Sequence, residues 1–261
     1  MRTVKAVTTA TPGEDCSYPG TGSGENEIET QVARQAEAVA LYTEAAQVYD
    51  RLNQLLSAGT GNWYRRQALD SLQLAPESRV IDLACGTGAL ALAAQKLLPE
   101  TASILAVDPT PAMRAIARRA GVAEIQEGSF TTIPAATGSC DAVVSAYALR
   151  YADPRRIAFR EIRRVLRPDG DLLFLEMIVA PAGWQRDLTR ALLTRLLAPL
   201  TSVLCRDPAA GKLIKHLWQS ISELDAPAVI LSDLEEAGFT SLEYRHAGGL
   251  LGEFRARRTR D

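Results

Sequence analysis

The sequence predicts an α/β fold: a seven-stranded, mostly parallel sheet with an antiparallel C-terminal hairpin, a helical N-terminal cap and a helical lid insertion. Three observations predict it. Between residues 79 and 177, short apolar runs of strand length alternate with helix-length segments, as in a parallel sheet with crossover helices on both faces. A glycine-rich turn, Cys85-Gly86-Thr87-Gly88, separates the first of these strands from its helix. On either side of this core the apolar residues return to helical spacing.

In chain order, residues 1–29 are rich in Thr, Gly, Ser, Pro and Glu and predict a flexible tail. Residues 30–261 are expected to form the folded domain, beginning with a helical cap over 30–74. Val39, Tyr42, Ala46, Tyr49, Leu52 and Leu56 fall on one helical face, and Gly59-Thr60-Gly61 breaks the run before a second helix near Asn62. The core, 75–180, has strands expected at 79–83, 102–107, 124–126, 141–146 and 171–177, with helices at 89–98, 111–120 and 154–166. Asp153-Pro154 reads as N-cap and first turn of the last of these, which Arg167-Pro168-Asp169-Gly170 closes. The lid spans 181–225. Residues 226–261 supply a helix at 231–238 and two strands, 241–246 and 250–257, joined by a tight turn at Gly248-Gly249.

With 261 residues, 47% hydrophobic and 23% charged, the chain buries a full core, which excludes disorder as its main state. A net charge of -2 gives no global field for nucleic acid or an anionic membrane, so a small molecule is the expected partner. Cys16, Cys85, Cys140 and Cys205 lack zinc or disulfide spacing, which predicts no metal and suits a cytoplasmic protein. No signal-peptide segment is evident and no run of about 18 apolar residues occurs, so stable membrane insertion is not expected. The apolar stretch 188–204, with Arg186, Arg190 and Arg195 along it, suits a buried lid, a homodimer face or transient contact with lipid.

The glycine-rich turn points to a cofactor at the carboxyl edge of the sheet, where backbone N–H groups converge. Gly86 and Gly88 leave room for close approach of a ligand. Gly86-x-Gly88-x-x-Ala91 also satisfies a relaxed dinucleotide fingerprint, with Asp108 in the place of its ribose acid. Asp82 separates the two readings: a strand-end carboxylate attracts the ammonium of S-adenosyl-L-methionine, whereas a dinucleotide loop makes room for a pyrophosphate. Rival structural readings are a helix-dipole carboxylate for Asp82, an N-cap for the Pro111 helix for Asp108, and a small filler for Cys85.

The segments Val80-Ile81-Asp82-Leu83-Ala84-Cys85-Gly86-Thr87-Gly88, Cys140-Asp141-Ala142-Val143-Val144-Ser145-Ala146-Tyr147-Ala148-Leu149-Arg150 and Arg164-Val165-Leu166-Arg167-Pro168-Asp169-Gly170 resemble the ubiquinone/menaquinone biosynthesis C-methyltransferases in order and spacing. The likeness runs from Tyr49-Asp50-Arg51-Leu52-Asn53 through Leu217-Trp218-Gln219-Ser220-Ile221 to Glu236-Ala237-Gly238-Phe239. It implies a Rossmann-like class I methyltransferase fold with S-adenosyl-L-methionine as cofactor. By that resemblance Tyr49 closes over the cofactor, Asp82, Gly86 and Gly88 hold its methionine end, Asp108 its ribose, and Ser129 and Phe130 its adenine. Ala84, Cys85, Pro109 and Ala146 complete the walls. The family has Asp or Asn at Ser129, Phe-Gly-Leu at Tyr147-Ala148-Leu149, Asn at Tyr151 and an aromatic residue at His216.

The expected activity is methyl transfer to a small aromatic molecule, at a ring carbon of a quinol-like or polyketide substrate in quinone or specialised metabolism. Transfer to oxygen or nitrogen, and a cyclase or binding protein of the same fold, stay open. Arg150, which the resemblance singles out, would hold a phenolate by charge-assisted hydrogen bonds, since a guanidinium cannot act as base. An ion pair with Asp153 or Glu176 is its structural alternative. His216 could move a proton or be a satisfied lid histidine, and Tyr147 could donate to the substrate or pack beneath the cofactor. Phe130 has a plain core alternative.

Overall fold

The computed structural model describes residues 3–5, 24–56 and 59–260; of 3–5 and 24–35 it describes the backbone alone. The elements in order are β1 (Thr3–Lys5), α1 (Gly24–Leu56), α2 (Gly61–Asp70), β2 (Arg79–Leu83), α3 (Ala89–Leu97), β3 (Ser103–Val107), α4 (Pro111–Ala120), β4 (Glu124–Gln126) and β5 (Cys140–Ala146). A 3-10 turn (Leu149–Tyr151) follows, then α5 (Arg155–Val165), β6 (Leu166–Met177), α6 (Trp184–Ala191), a π-helical segment (Leu192–Leu197), α7 (Ala198–Cys205), α8 (Pro208–Glu223), α9 (Pro227–Glu236), β7 (Phe239–Gly248) and β8 (Leu251–Arg258).

The strands form one sheet in the order β1-β7-β8-β6-β5-β2-β3-β4. From β6 to β4 neighbours are parallel; β8 and β7 run antiparallel. Seven of the strands are those expected. The eighth, β1, pairs antiparallel with the edge of β7, Thr3 opposite Arg245; it adds an edge strand to the seven expected and corrects the reading of 1–29 as a flexible tail at Thr3–Lys5. The tail is corrected at its other end too, since α1 begins at Gly24. Residues 6–23, Cys16 among them, lie outside the described residues.

Alternation along the strands divides the core. Ile81, Leu83, Val143, Leu172 and Phe174 face α5 and α9, while Val80, Ala142, Val144, Leu173 and Leu175 face α2 and α3. A separate cluster joins the cap to the lid through Ala45, Val48 and Leu52 of α1 and Leu213, Ile214 and Ile221 of α8. The N-cap of α5 is Pro154 rather than Asp153; its carbonyl accepts from Ile157 and Ala158, because the residue before a proline is held extended and the helix starts one residue later. The Arg167–Gly170 stretch bulges within β6, which pairs Leu166 with Cys140 and Asp171 with Ala142.

Candidate functional site

The sheet reverses its winding between β2 and β5, the crevice where ligands of open α/β sheets collect. Two residues leave those strands with left-handed backbones, Ala84 at φ 57° after β2 and Tyr147 at φ 62° after β5. Such a φ is uncommon for alanine and an outlier for a bulky tyrosine, and backbone strain of this kind concentrates where side chains must be aimed. The backbone N–H of Tyr147 is held by the Leu175 carbonyl at 2.6 Å.

Two carboxylates organise the turn. Asp108 accepts from Gly86 N–H and from Thr110 N–H, each at 2.8 Å, and so pins the ends of β2 and β3 together. Thr110, not Asp108, is the N-cap residue of α4. Asp82 is buried; one oxygen accepts from Ala91 N–H at 2.8 Å and the other, Oδ1, has no protein partner. Burial pushes its carboxyl up to about 7, against the lowering effect of the Ala91 N–H and the Arg65 charge. Gly88 faces away from the cavities: at φ 85° it caps α3, and a Cβ there would stand 2.4 Å from Val122 Cγ2. Gly86 faces the Tyr49 ring, which a Cβ would meet at 4.0 Å.

Three adjoining cavities share Tyr49 and Tyr147 in their walls. The first is lined by Gly86, Asp108, Pro109, Ser129, Phe130 and Ala146. The second is lined by Arg65, Asp82, Ala84, Cys85 and Thr87. The third, about 330 Å³, is mostly apolar, with Leu52, Leu56, Met177, Leu213 and Leu217 in its walls and Arg65 and Arg150 among its polar groups. The Arg65 guanidinium lies 5.2 Å from the Tyr147 ring centroid. Thr87 Oγ1 donates to Asp50 Oδ1 at 2.6 Å, tying the turn to α1.

Arg150 and Glu176 form a buried ion pair at 2.6 Å, their side chains 4% and 0% exposed. Burial opposes the Arg150 charge, but Glu176 together with Tyr151 and Tyr42 outweighs it and holds the guanidinium well above its ordinary range. Glu176 also accepts from the backbone N–H of Arg150 and Met177. Beyond Arg150, Tyr151 Oη is 3.0 Å from Tyr42 Oη and 3.0 Å from His216 Nε2.

Residues 81–174 match the model of a methyltransferase domain. The chain is 32% identical to a demethylmenaquinone methyltransferase of Beutenbergia cavernae, over 84% of this chain and 89% of that one. It is 33% identical to a ubiquinone/menaquinone biosynthesis C-methyltransferase of Syntrophotalea carbinolica, over 80% and 88%. The chain belongs to the ubiquinone/menaquinone C-methyltransferase family. The fold also matches human N-acetylserotonin methyltransferase in complex with S-adenosylmethionine, at TM-score 0.56 and 21% identity, covering 84% of this chain and 58% of that one.

As a member of this family the protein is an enzyme, and S-adenosyl-L-methionine is its cofactor. The turn fits that group: an unpartnered buried carboxylate oxygen of Asp82 suits an ammonium, and each Asp108 oxygen, with one backbone donor, keeps a lone pair for a ribose hydroxyl. Of the residues predicted from sequence, Tyr49, Ala84, Gly86, Asp108, Pro109, Ser129, Phe130, Ala146 and Tyr147 share one cavity, and Asp82 and Cys85 line its extension. Gly88 lines neither and serves packing. Ser129 Oγ is engaged locally with Thr131, and Phe130 packs against Phe174 while bordering the cavity. His216 lies outside these three cavities. Arg65, Asp50 and Tyr42 carry no site signal of their own in the sequence, Thr87 enters only as part of the turn, Tyr151 only as a departure from the family's pattern, and Glu176 only as a possible partner of Arg150. Arg65 shows only a helical arginine in sequence, and Tyr42 only an apolar position.

Proposed function

We propose that this methyltransferase transfers a methyl group to a ring carbon of a quinol-like or polyketide aromatic. The observation that supports this reading is the apolar cavity beside the cofactor turn, roomy enough for a ring, with a buried and permanently charged Arg150 in its wall. Asp82 and Asp108 would hold the cofactor, which supplies an electrophilic methyl carbon on a sulfonium. Arg150, fixed by Glu176, places positive charge where the ring oxygen becomes phenolate, a stabilisation that needs no reorganisation during the reaction. Tyr49 and Tyr147 close the junction of the cavities and exclude water, so the donor and ring meet in line.

We also infer that the enzyme works from the cytoplasm and touches an anionic lipid surface through its lid. Trp184, Leu188, Leu192, Leu196, Leu200, Val203 and Leu204 are exposed on one continuous helical run, Trp184–Cys205. Arg190, Arg195 and Arg206 stand exposed beside them. The run is long and apolar enough to cross a membrane, but Arg186, Asp187, Arg190 and Arg195 would then enter hydrocarbon, and Leu193, Ala198 and Cys205 are packed into the protein.

The deciding experiment incubates the enzyme with methyl-labelled S-adenosylmethionine and a panel of reduced benzoquinones, naphthoquinones and polyketide phenols. Label on a ring carbon, located by NMR, is expected. Label on oxygen or nitrogen overturns carbon transfer while leaving the methyltransferase intact.

A further inference from the structure

Methylating an aromatic ring carbon releases one proton per turnover, and the cavity that would hold the ring is walled mostly by apolar side chains. One continuous line of hydrogen-bonding groups crosses its wall. Tyr42, on α1, borders both the cofactor and the ring cavities; Tyr151 borders the cofactor cavity and a second, outer cavity of about 500 Å³; His216, on α8, lies in that outer cavity. The links are Tyr42 Oη to Tyr151 Oη and Tyr151 Oη to His216 Nε2, both 3.0 Å. The rings are held in place: Tyr151 and His216 lie parallel within 6°, Tyr42 meets them edge-on at 86° and 89°, and the Arg150 guanidinium sits 5.0 Å from the Tyr151 centroid.

We propose that Tyr42, Tyr151 and His216 form a relay that carries the substrate hydroxyl proton from the ring cavity to solvent. This rests on the carbon-methylation reading above. The substrate O–H bond breaks and its proton bonds to Tyr42 Oη, the Tyr42 proton passes to Tyr151 Oη, and the Tyr151 proton to His216 Nε2. Each tyrosine gains one proton and loses one, the substrate becomes phenolate and His216 becomes imidazolium. His216 then releases a proton to water in the outer cavity. The new C–C bond would form as the bond from the methyl carbon to the sulfonium sulfur breaks, its electron pair going to sulfur; the ring C–H bond then breaks, its electron pair restores aromaticity, and its proton returns to the ring oxygen. The balance is one proton to solvent per methyl transferred.

The surroundings suit transit rather than storage. Burial holds the Tyr42 phenol well above its ordinary range, so the proton moves through it without a resting tyrosinate. Burial and the Arg150 charge lower the His216 pKa, against Glu37 of α1 and Glu223 of α8, so the imidazolium gives its proton up readily. Because neutral His216 is the acceptor, the rate should rise with pH through a pKa below 6.5 and then level off.

The test compares wild type, Tyr151→Phe, Tyr42→Phe and His216→Ala by kcat against pH, cofactor affinity, and NMR titration of His216. Expected are a loss of kcat of roughly a hundredfold in each variant with cofactor affinity unchanged in His216→Ala and changed no more than a few fold in Tyr151→Phe, and loss of the acidic limb in His216→Ala. Free imidazole, entering the outer cavity, should restore at least tenfold of the His216→Ala loss and none of the Tyr151→Phe loss. In the cofactor-free protein, Tyr151→Phe should shift the His216 titration. A Tyr151→Phe enzyme with near wild-type kcat, or His216→Ala indifferent to imidazole, overturns the relay. A wild type that binds cofactor yet methylates no ring carbon overturns the reading on which it rests.

Discussion

Asp82 is the residue whose chemistry is most exposed to test. Its folded pKa, about 7, stands above the ordinary carboxylate range because burial outweighs its one backbone donor and the Arg65 charge. A carboxyl raised on folding is a source of stability below its unfolded pKa, and that contribution is lost as pH rises toward 7. Cofactor binding has the opposite sign, since only the ionised form attracts an ammonium. Affinity for S-adenosylmethionine should therefore increase between pH 6 and pH 8, by up to about tenfold per pH unit below the pKa. In Asp82→Asn it should be weaker and flat over that range. Calorimetry across the range checks this, and a wild-type affinity independent of pH would detach Asp82 from the ligand. The place of Asp82, Gly86 and Asp108 at the carboxyl edge of the sheet was legible in the sequence because each sits in or just after a strand that carries its own apolar pattern. Tyr42 and Tyr151 were not, because 109 residues separate two phenols that meet only through the packing of α1 on the 3-10 turn. Arg150 was legible as a position, and Glu176 only as one of its alternative partners, because a buried pair is decided by register between β5 and β6.

At the scale of elements, strand and helix alternation from β2 to α5 could be read because each segment carries its own period, whereas β1 could not. Three residues without an apolar pattern become a strand only when the β7 edge offers its hydrogen bonds. The lid was readable as helical but not as outward-facing: its period places apolar side chains on one side without saying whether protein covers them. The structure buries Leu193, Ala198, Thr201 and Cys205 and leaves the Trp184 to Leu204 stripe bare. Charge favours an anionic surface over a second copy of the chain, since two copies would bring Arg190, Arg195 and Arg206 together. The protein should co-sediment with vesicles of phosphatidylglycerol and phosphatidylcholine, less with phosphatidylcholine alone, and less at high salt. Leu196→Glu with Leu200→Glu should remove the binding without changing cofactor affinity. Equal binding to neutral vesicles, or a dimer in light scattering that the same pair of substitutions dissolves, would count against the lipid assignment.

Among the described residues, two apolar clusters flank the sheet and a third is shared by cap and lid. This division was not written in any single period of the sequence, because α1 and α8 meet across most of the chain. It implies that cap and lid can open together while the sheet stays intact, and the small cavity beside Asp108 favours such an opening. The space beside Asp108 is only about 90 Å³, roofed by Tyr42 and Tyr49 of α1, smaller than the few hundred Å³ of a typical ligand pocket. Entry of a nucleoside therefore needs α1 to lift. Native-state hydrogen exchange should show α1 and α8 opening at a lower free energy than β2, β5 and β6. If that opening also releases the cofactor, ligand at a hundred times its Kd should deepen cap protection by about 2.7 kcal/mol, roughly a hundredfold slower exchange. Exchange of cap and sheet in one step would make the molecule a single cooperative unit. Cap exchange unchanged by saturating cofactor would mean that Tyr49 does not close over it.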